Sequence, residues 1–197
     1  MSKQEEKMGR LKLGIFLPNL KLPLDTSLEI CKKIDVQGIQ VWNVDGPLNP
    51  DSISIELRQN FPSKVKSYGL ELSALCGHMK LVTERELSEK IKKFKRILEL
   101  SVDWEAPLVT TESGGIDGDY PLETAWNVLV DAMKELTSFA EKVGSYVAIE
   151  PGGDCVINSA DSALRLIEVV GSTHLKVNYD PASWGGKPRL VFHWRGT

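Results

Sequence analysis

Residues 121–151 read PLETAWNVLVDAMKELTSFAEKVGSYVAIEP, and this stretch decides the fold. Trp126, Leu129, Met133, Leu136, Ala140 and Val143 recur at steps of 3, 4, 3, 4 and 3, the period of one apolar helix face. Pro121 stands near the start and Gly144 at the end, because proline presets a first helical turn and glycine takes the left-handed conformation that closes a last one. SYVAIE (145–150) follows at once. It is short and apolar, as a strand buried on both faces should be. The strand ends on Glu150, and Pro151-Gly152-Gly153 lets the backbone turn away. A carboxylate at the tip of a buried strand must be paired, protonated or bound to a cation.

The same alternation extends in both directions. LKLGIFL (11–17), GIQVW (38–42), LELSALC (70–76), PLVTT (107–111) and HLKVNY (174–179) are further apolar runs bounded by Gly, Pro, Asn or Asp. Between them lie helical segments. Thr83-Glu84-Arg85-Glu86 has the form of a capping box, and Leu87, Ile91, Phe94 and Leu98 follow as one stripe. Ser159 is expected to cap a helix that Gly171 closes, with Leu164, Ile167 and Val170 inward. Thr26 with Glu29 is expected to open a short helix, and Pro62 to kink or split a weaker one over 53–68. The runs start at 11, 38, 70, 107, 145 and 174. A strand-then-helix repeat near thirty residues is the βαβ unit of a parallel sheet, doubly wound or closed into a barrel. A dinucleotide fold needs a glycine fingerprint after its first strand, and Leu17-Pro18-Asn19-Leu20-Lys21 has none. The barrel is the expected architecture.

In either fold, chemistry collects at the C-terminal ends of the strands. Those ends supply Pro18 and Asn19, Trp42 and Asn43, Cys76-Gly77-His78, Thr111 and Glu112, Glu150, and Asp180, which Pro181 follows. Trp42 has aromatic core packing as its plainer role, Glu112 loop capping, and His78 a surface position. The 197-residue chain has Lys+Arg 24 against Asp+Glu 27, a net charge of −3. That gives no footprint for a nucleic-acid backbone. KIKKFKR (90–96) lies on the stripe-bearing helix and reads as a solvated face. No stretch approaches the apolar length of a membrane span. Cys31, Cys76 and Cys155 have no metal spacing and read as reduced thiols of a cytoplasmic protein.

GIQVW, FAEKVGSYVAIEP and LKVNYDPAS, in that order and spacing, resemble the xylose isomerase-like barrels. That group includes sugar phosphate isomerases and epimerases and the family 2 AP endonucleases. The resemblance covers about residues 11–183. It implies a (β/α)8 TIM-barrel fold, here with about six of eight βα units. Residues 1–10 are read as a flexible leader, 11–183 as the partial barrel and 184–197 as an atypical tail. The resemblance also implies that Glu150 and Asp180 are ligands of a divalent metal, Mn²⁺ or Mg²⁺ ahead of Zn²⁺, with Glu150 also the proton-transfer base. Asn19, Trp42, His78 and Glu112 are then substrate-binding candidates, and the partner is a small sugar or sugar phosphate. In the family a His and a second Glu follow on strands seven and eight, but WGGKPRLVFHWRGT (184–197) has no helical period, and His193 comes only 13 residues after Asp180. The expectation is a truncated barrel of doubtful activity, aggregating or dimerising through its exposed edges. The alternatives are a non-catalytic remnant or sugar-binding module, and an AP endonuclease. The last is disfavoured because Ser183 stands where those nucleases place a histidine and only His78, His174 and His193 are present.

Overall fold

The structure, a computed structural model, describes residues 11–180, so residues 1–10, Pro181 to Ser183, and the 184–197 tail with His193 lie outside the described residues. All six expected strands form: β1 (Gly14–Phe16), β2 (Gly38–Trp42), β3 (Glu71–Cys76), β4 (Val109–Glu112), β5 (Val147–Glu150) and β6 (Leu175–Val177). Between them run α1 (Leu24–Lys33), α2 (Ile55–Ser67), α3 (Leu87–Asp103), α4 (Leu122–Val143) and α5 (Ala160–Val170). The strands are all parallel and lie in sequence order from β1 to β6. A doubly wound sheet reverses direction at a switch point; this one does not. Right-handed crossovers that always step the same way put every helix on one face, which is the winding of a TIM barrel.

Strand alternation divides the sheet into two faces. Ile39, Val41, Leu75, Val109, Val147 and Ile149 join a buried core with Phe94, Ile97 and Leu98 of α3 and Leu129, Met133 and Leu136 of α4. Gln40, Trp42, Cys76, Thr110, Ala148 and Glu150 alternate with them and stand on the opposite face. The register of β2 against β3 shifts between Ile39 and Gln40, so Ser73 has no partner position and Gln40 falls opposite Ala74. This bulge keeps Gln40 and Trp42 on the same face as Cys76.

Four local expectations change. Helix α2 is continuous despite Pro62. Proline has no N–H for the carbonyl four residues back, that of Arg58, and the Trp104 indole Nε1 donates to that oxygen instead, at 2.9 Å. Phe61 and Trp104 pack with ring centroids 4.4 Å apart, which holds the substitute donor in place. The expected Thr83–Glu86 capping box does not form: α3 begins at Leu87, and Glu86 has φ 56° with no side-chain cap. Leu81 and Val82 are fully buried, and the Leu81 amide donates to the Ser113 carbonyl. That tie to the β4 exit outweighs a local cap. Helix α1 begins at Leu24, two residues before Thr26. In α5, Ser159 and Gly171 cap as expected. Its buried face, however, is Ala163 and Leu166, and Leu164 is 57% exposed.

Candidate active site

A cavity of about 350 Å³ opens at the C-terminal ends of the strands. It brings together Asn19, Trp42, His78, Glu150 and Asp180, five of the six residues expected from sequence. Phe16, Gln40, Cys76 and Asn178 complete the lining. Glu112 does not line it. That residue lies opposite Glu150 in the β4–β5 register and accepts the Cys155 thiol at 3.8 Å.

Each side chain is fixed from below by the sheet. Glu150 ends β5, and its Oε2 accepts a hydrogen bond from Asn178 Nδ2 just past β6. The Trp42 indole Nε1 donates to Asp45 at 2.8 Å, and its ring meets the His78 ring edge-on with centroids 6.4 Å apart. His78 follows Gly77, where a Cβ would meet Phe94 and Val109 at 3.0 Å. Only glycine lets the chain leave β3 this close to α3. Gln40 Nε2 donates to Thr110 Oγ1 at 2.8 Å and links β2 to β4 above Cys76. The loops after β4 and β5 are tied by the Ile157 amide, which donates to the buried Ser113 hydroxyl at 3.0 Å. They approach so closely that a Cβ on Gly115 would sit 2.6 Å from the Asp154 carbonyl oxygen.

The electrostatics follow from this enclosure. His78 Nε2 is buried, has no hydrogen-bond partner among the described residues, and lies 3.8 Å from Glu150 Oε2. That separation is too long for a hydrogen bond, but one hydroxyl can bridge both groups. Burial pushes the Cys76 thiol up to about 11, and the charges of Glu150 and Glu112 add to the rise. Cys155 is also raised, first by its partial burial and then by Glu112. Neither thiol is poised as a nucleophile.

Gln40 and Asn178 are lining residues that the sequence reading did not nominate. Gln40 could have been reached by counting back two from Trp42 along one strand face. Nothing local marks Asn178 beyond its place two residues before Asp180. A larger cavity of about 980 Å³ lies between α4 and α5, beside Trp126, Asp154 and Arg165. The Arg165 guanidinium sits 4.3 Å from the Trp126 ring centroid. That cavity holds neither Glu150 nor His78.

Among the described residues, no three His, Cys, Asp or Glu side chains converge closely enough to hold a metal ion. Glu150 and Asp180 share the cavity with His78, without converging into such a group among the described residues. No helix among the described residues is long and apolar enough to cross a membrane.

Comparisons with known proteins agree with the topology. No curated protein matches the sequence significantly. The xylose isomerase domain protein of Planctomyces limnophilus superposes with a TM-score of 0.71 at 22% identity, over 89% of this chain and 65% of its own. IOLI protein with a bound zinc atom gives 0.75 at 20% identity, over 89% and 64%. The 3-keto-D-glucoside 4-epimerase YcjR of E. coli gives 0.71 at 17%, over 85% and 67%. This chain thus spans about 65% of the length of such structures. At these identities the likeness is one of fold. Residues 28–186 match the family model described as xylose isomerase-like TIM barrel. With six parallel strands wound in sequence order and that match across most of its length, the chain belongs to the xylose isomerase-like TIM barrel family.

Proposed function

We propose that this chain binds a small sugar at the strand-end cavity and acts as an isomerase or epimerase, moving a proton at the carbon beside a carbonyl. The observation that carries this reading is Glu150: a carboxylate on a rigid strand end, oriented by Asn178, 3.8 Å from an unpartnered imidazole nitrogen in a small cavity. A general base has to be held within hydrogen-bond reach of the proton it takes, and a strand end holds it better than a loop. Glu150 takes the proton; its return from Glu150 to the neighbouring carbon completes isomerisation, and delivery from solvent to the opposite face of the same carbon completes epimerisation. His78 Nε2 meets the neighbouring hydroxyl or carbonyl oxygen, while Trp42 and Asn19 wall and rim the site. Glu112, in register with Glu150 on the adjacent strand, accepts the Cys155 thiol outside the cavity. A related structure that is an epimerase and another that holds zinc agree with this reading without assigning it.

For the metal, the proposal assigns Glu150 and Asp180 as the carboxylate ligands this chain offers to Mn²⁺ or Mg²⁺ ahead of Zn²⁺. A bound divalent ion would supply charge stabilisation for an enediolate. That no three such ligands converge among the described residues favours a second reading, sugar binding without turnover. Turnover separates the two. Incubation with a ketose, followed by NMR, should show epimerisation that Glu150→Gln lowers by about 100-fold or more. Binding without any turnover in the unsubstituted protein would leave the second reading.

A further inference from the structure

Resting on the reading of the strand-end cavity as a sugar site, we infer that the site extends past Trp42 into a second, apolar pocket, and that the ligand carries an aryl or alkyl group that fills it. This pocket of about 380 Å³ is lined by the segments that follow β1 and β2 and by the starts of α1 and α2. Its wall includes five leucines, Leu17, Leu22, Leu24, Leu48 and Leu57. Two observations join it to the strand-end cavity. Trp42 lines both. The chain leaving β1 also alternates between them: Phe16 and Asn19 line the strand-end cavity, Leu17 and Pro18 the apolar pocket. A tight 3₁₀ turn over Leu17–Leu20, with proline near its start, fixes that alternation. The Trp42 indole is held at the boundary by its hydrogen bond to Asp45 at 2.8 Å.

The chemistry of the pocket selects the group it takes. The polar side chains among its described lining residues are Ser27 and Asp45. The Ser27 hydroxyl donates to the Leu22 carbonyl at 3.3 Å, and Asp45 accepts the Trp42 indole while exposed to water. A ligand group therefore gains here by burying apolar surface rather than by hydrogen bonding. Leu17 and Leu48 already belong to the core, whereas Leu22 is 46% exposed. A bound apolar group would cover a leucine that the fold leaves half in water. An apolar cavity of about 150 Å³ takes a benzene ring, so this one has room for a phenyl group or a short alkyl chain.

Isothermal titration with methyl and phenyl β-D-glucopyranoside tests this. It is run with chelator and again with added Mn²⁺, and the two glycosides are compared in the condition that gives the tighter binding. The phenyl glycoside is expected to bind tighter by about tenfold or more. Leu22→Asn and Leu57→Asn should cut that advantage to about threefold or less, with methyl glycoside binding unchanged. Leu22 is half exposed, so its replacement leaves the fold intact even where Leu57→Asn does not. Equal affinities, or an advantage that survives in both variants, overturn this inference and leave the sugar-site reading standing. Failure of both glycosides to bind in either condition overturns that reading, and the inference with it.

Discussion

At the scale of single residues, the site depends on what burial does to a few polar groups. Cys76 is 2% exposed, and its thiol is pushed up to about 11 from an ordinary value of 9.0. Between about pH 9 and about pH 11 the unfolded chain releases this proton while the folded chain keeps it. Stability therefore falls as pH rises through that window, by on the order of 2–3 kcal/mol. Urea denaturation at pH 8 and near pH 10.5 should show a larger loss in the unsubstituted protein than in Cys76→Ala. Equal losses would show that Cys76 is not the group responsible. The carboxylate pair gives a second expectation. With no three ligands converging among the described residues, Mn²⁺ should bind weakly, with a Kd on the order of 10⁻⁴ M or above as for the weakest oxygen-ligand calcium sites, as read by electron paramagnetic resonance of the free ion. Micromolar affinity would refute this. Glu150, Asp180, His78, Trp42 and Asn19 were legible because each stands where an apolar run stops. Gln40 and Asn178 were not. Gln40 shares the strand face of Trp42 but sits inside the apolar run rather than at its end, and Asn178 reaches the cavity through its hydrogen bond to Glu150 across strands.

At the scale of elements, the sequence signalled where helices form better than how their ends and breaks are resolved. Pro62 reads locally as a break in α2. The missing donor is supplied from the end of α3, 46 residues away, by the Trp104 indole. This compensation predicts a coupling. Trp104→Phe keeps a ring against Phe61 but leaves the Arg58 carbonyl unsatisfied, which costs about 1–3 kcal/mol. In a Pro62→Ala background the amide at 62 can donate to that carbonyl, so the same substitution should cost less. A double-mutant cycle by chemical denaturation measures the difference. Additive losses would show that the indole is not the substitute donor. The Thr83–Glu86 signature failed for the converse reason, since burial of Leu81 and Val82 fixes the chain there. Leu164 misled because period alone places a stripe only to within one residue of rotation, and tertiary packing chose Ala163 and Leu166.

At the scale of the molecule, a repeat of strand and helix near thirty residues was enough to expect parallel winding. The sequential order of six strands then excludes the doubly wound alternative. Among the described residues β1 and β6 are the two ends of that order, each paired on one side. Such edges favour pairing with another chain, and self-association is the expected outcome. Light scattering during size exclusion at tens of micromolar should give a mass above 21.9 kDa that rises with concentration. A monodisperse monomer would contradict it. Winding also gathers Glu150, Asp180, His78 and Trp42, scattered over 139 positions, at one rim. The central claim is that Glu150 moves a proton there. Its most direct measurement is exchange of the C–H beside a ketose carbonyl for solvent deuterium, followed by NMR in D₂O. The account predicts exchange in the unsubstituted protein and a loss of about 100-fold or more in Glu150→Gln with its fold intact; an unchanged rate in that variant would contradict it.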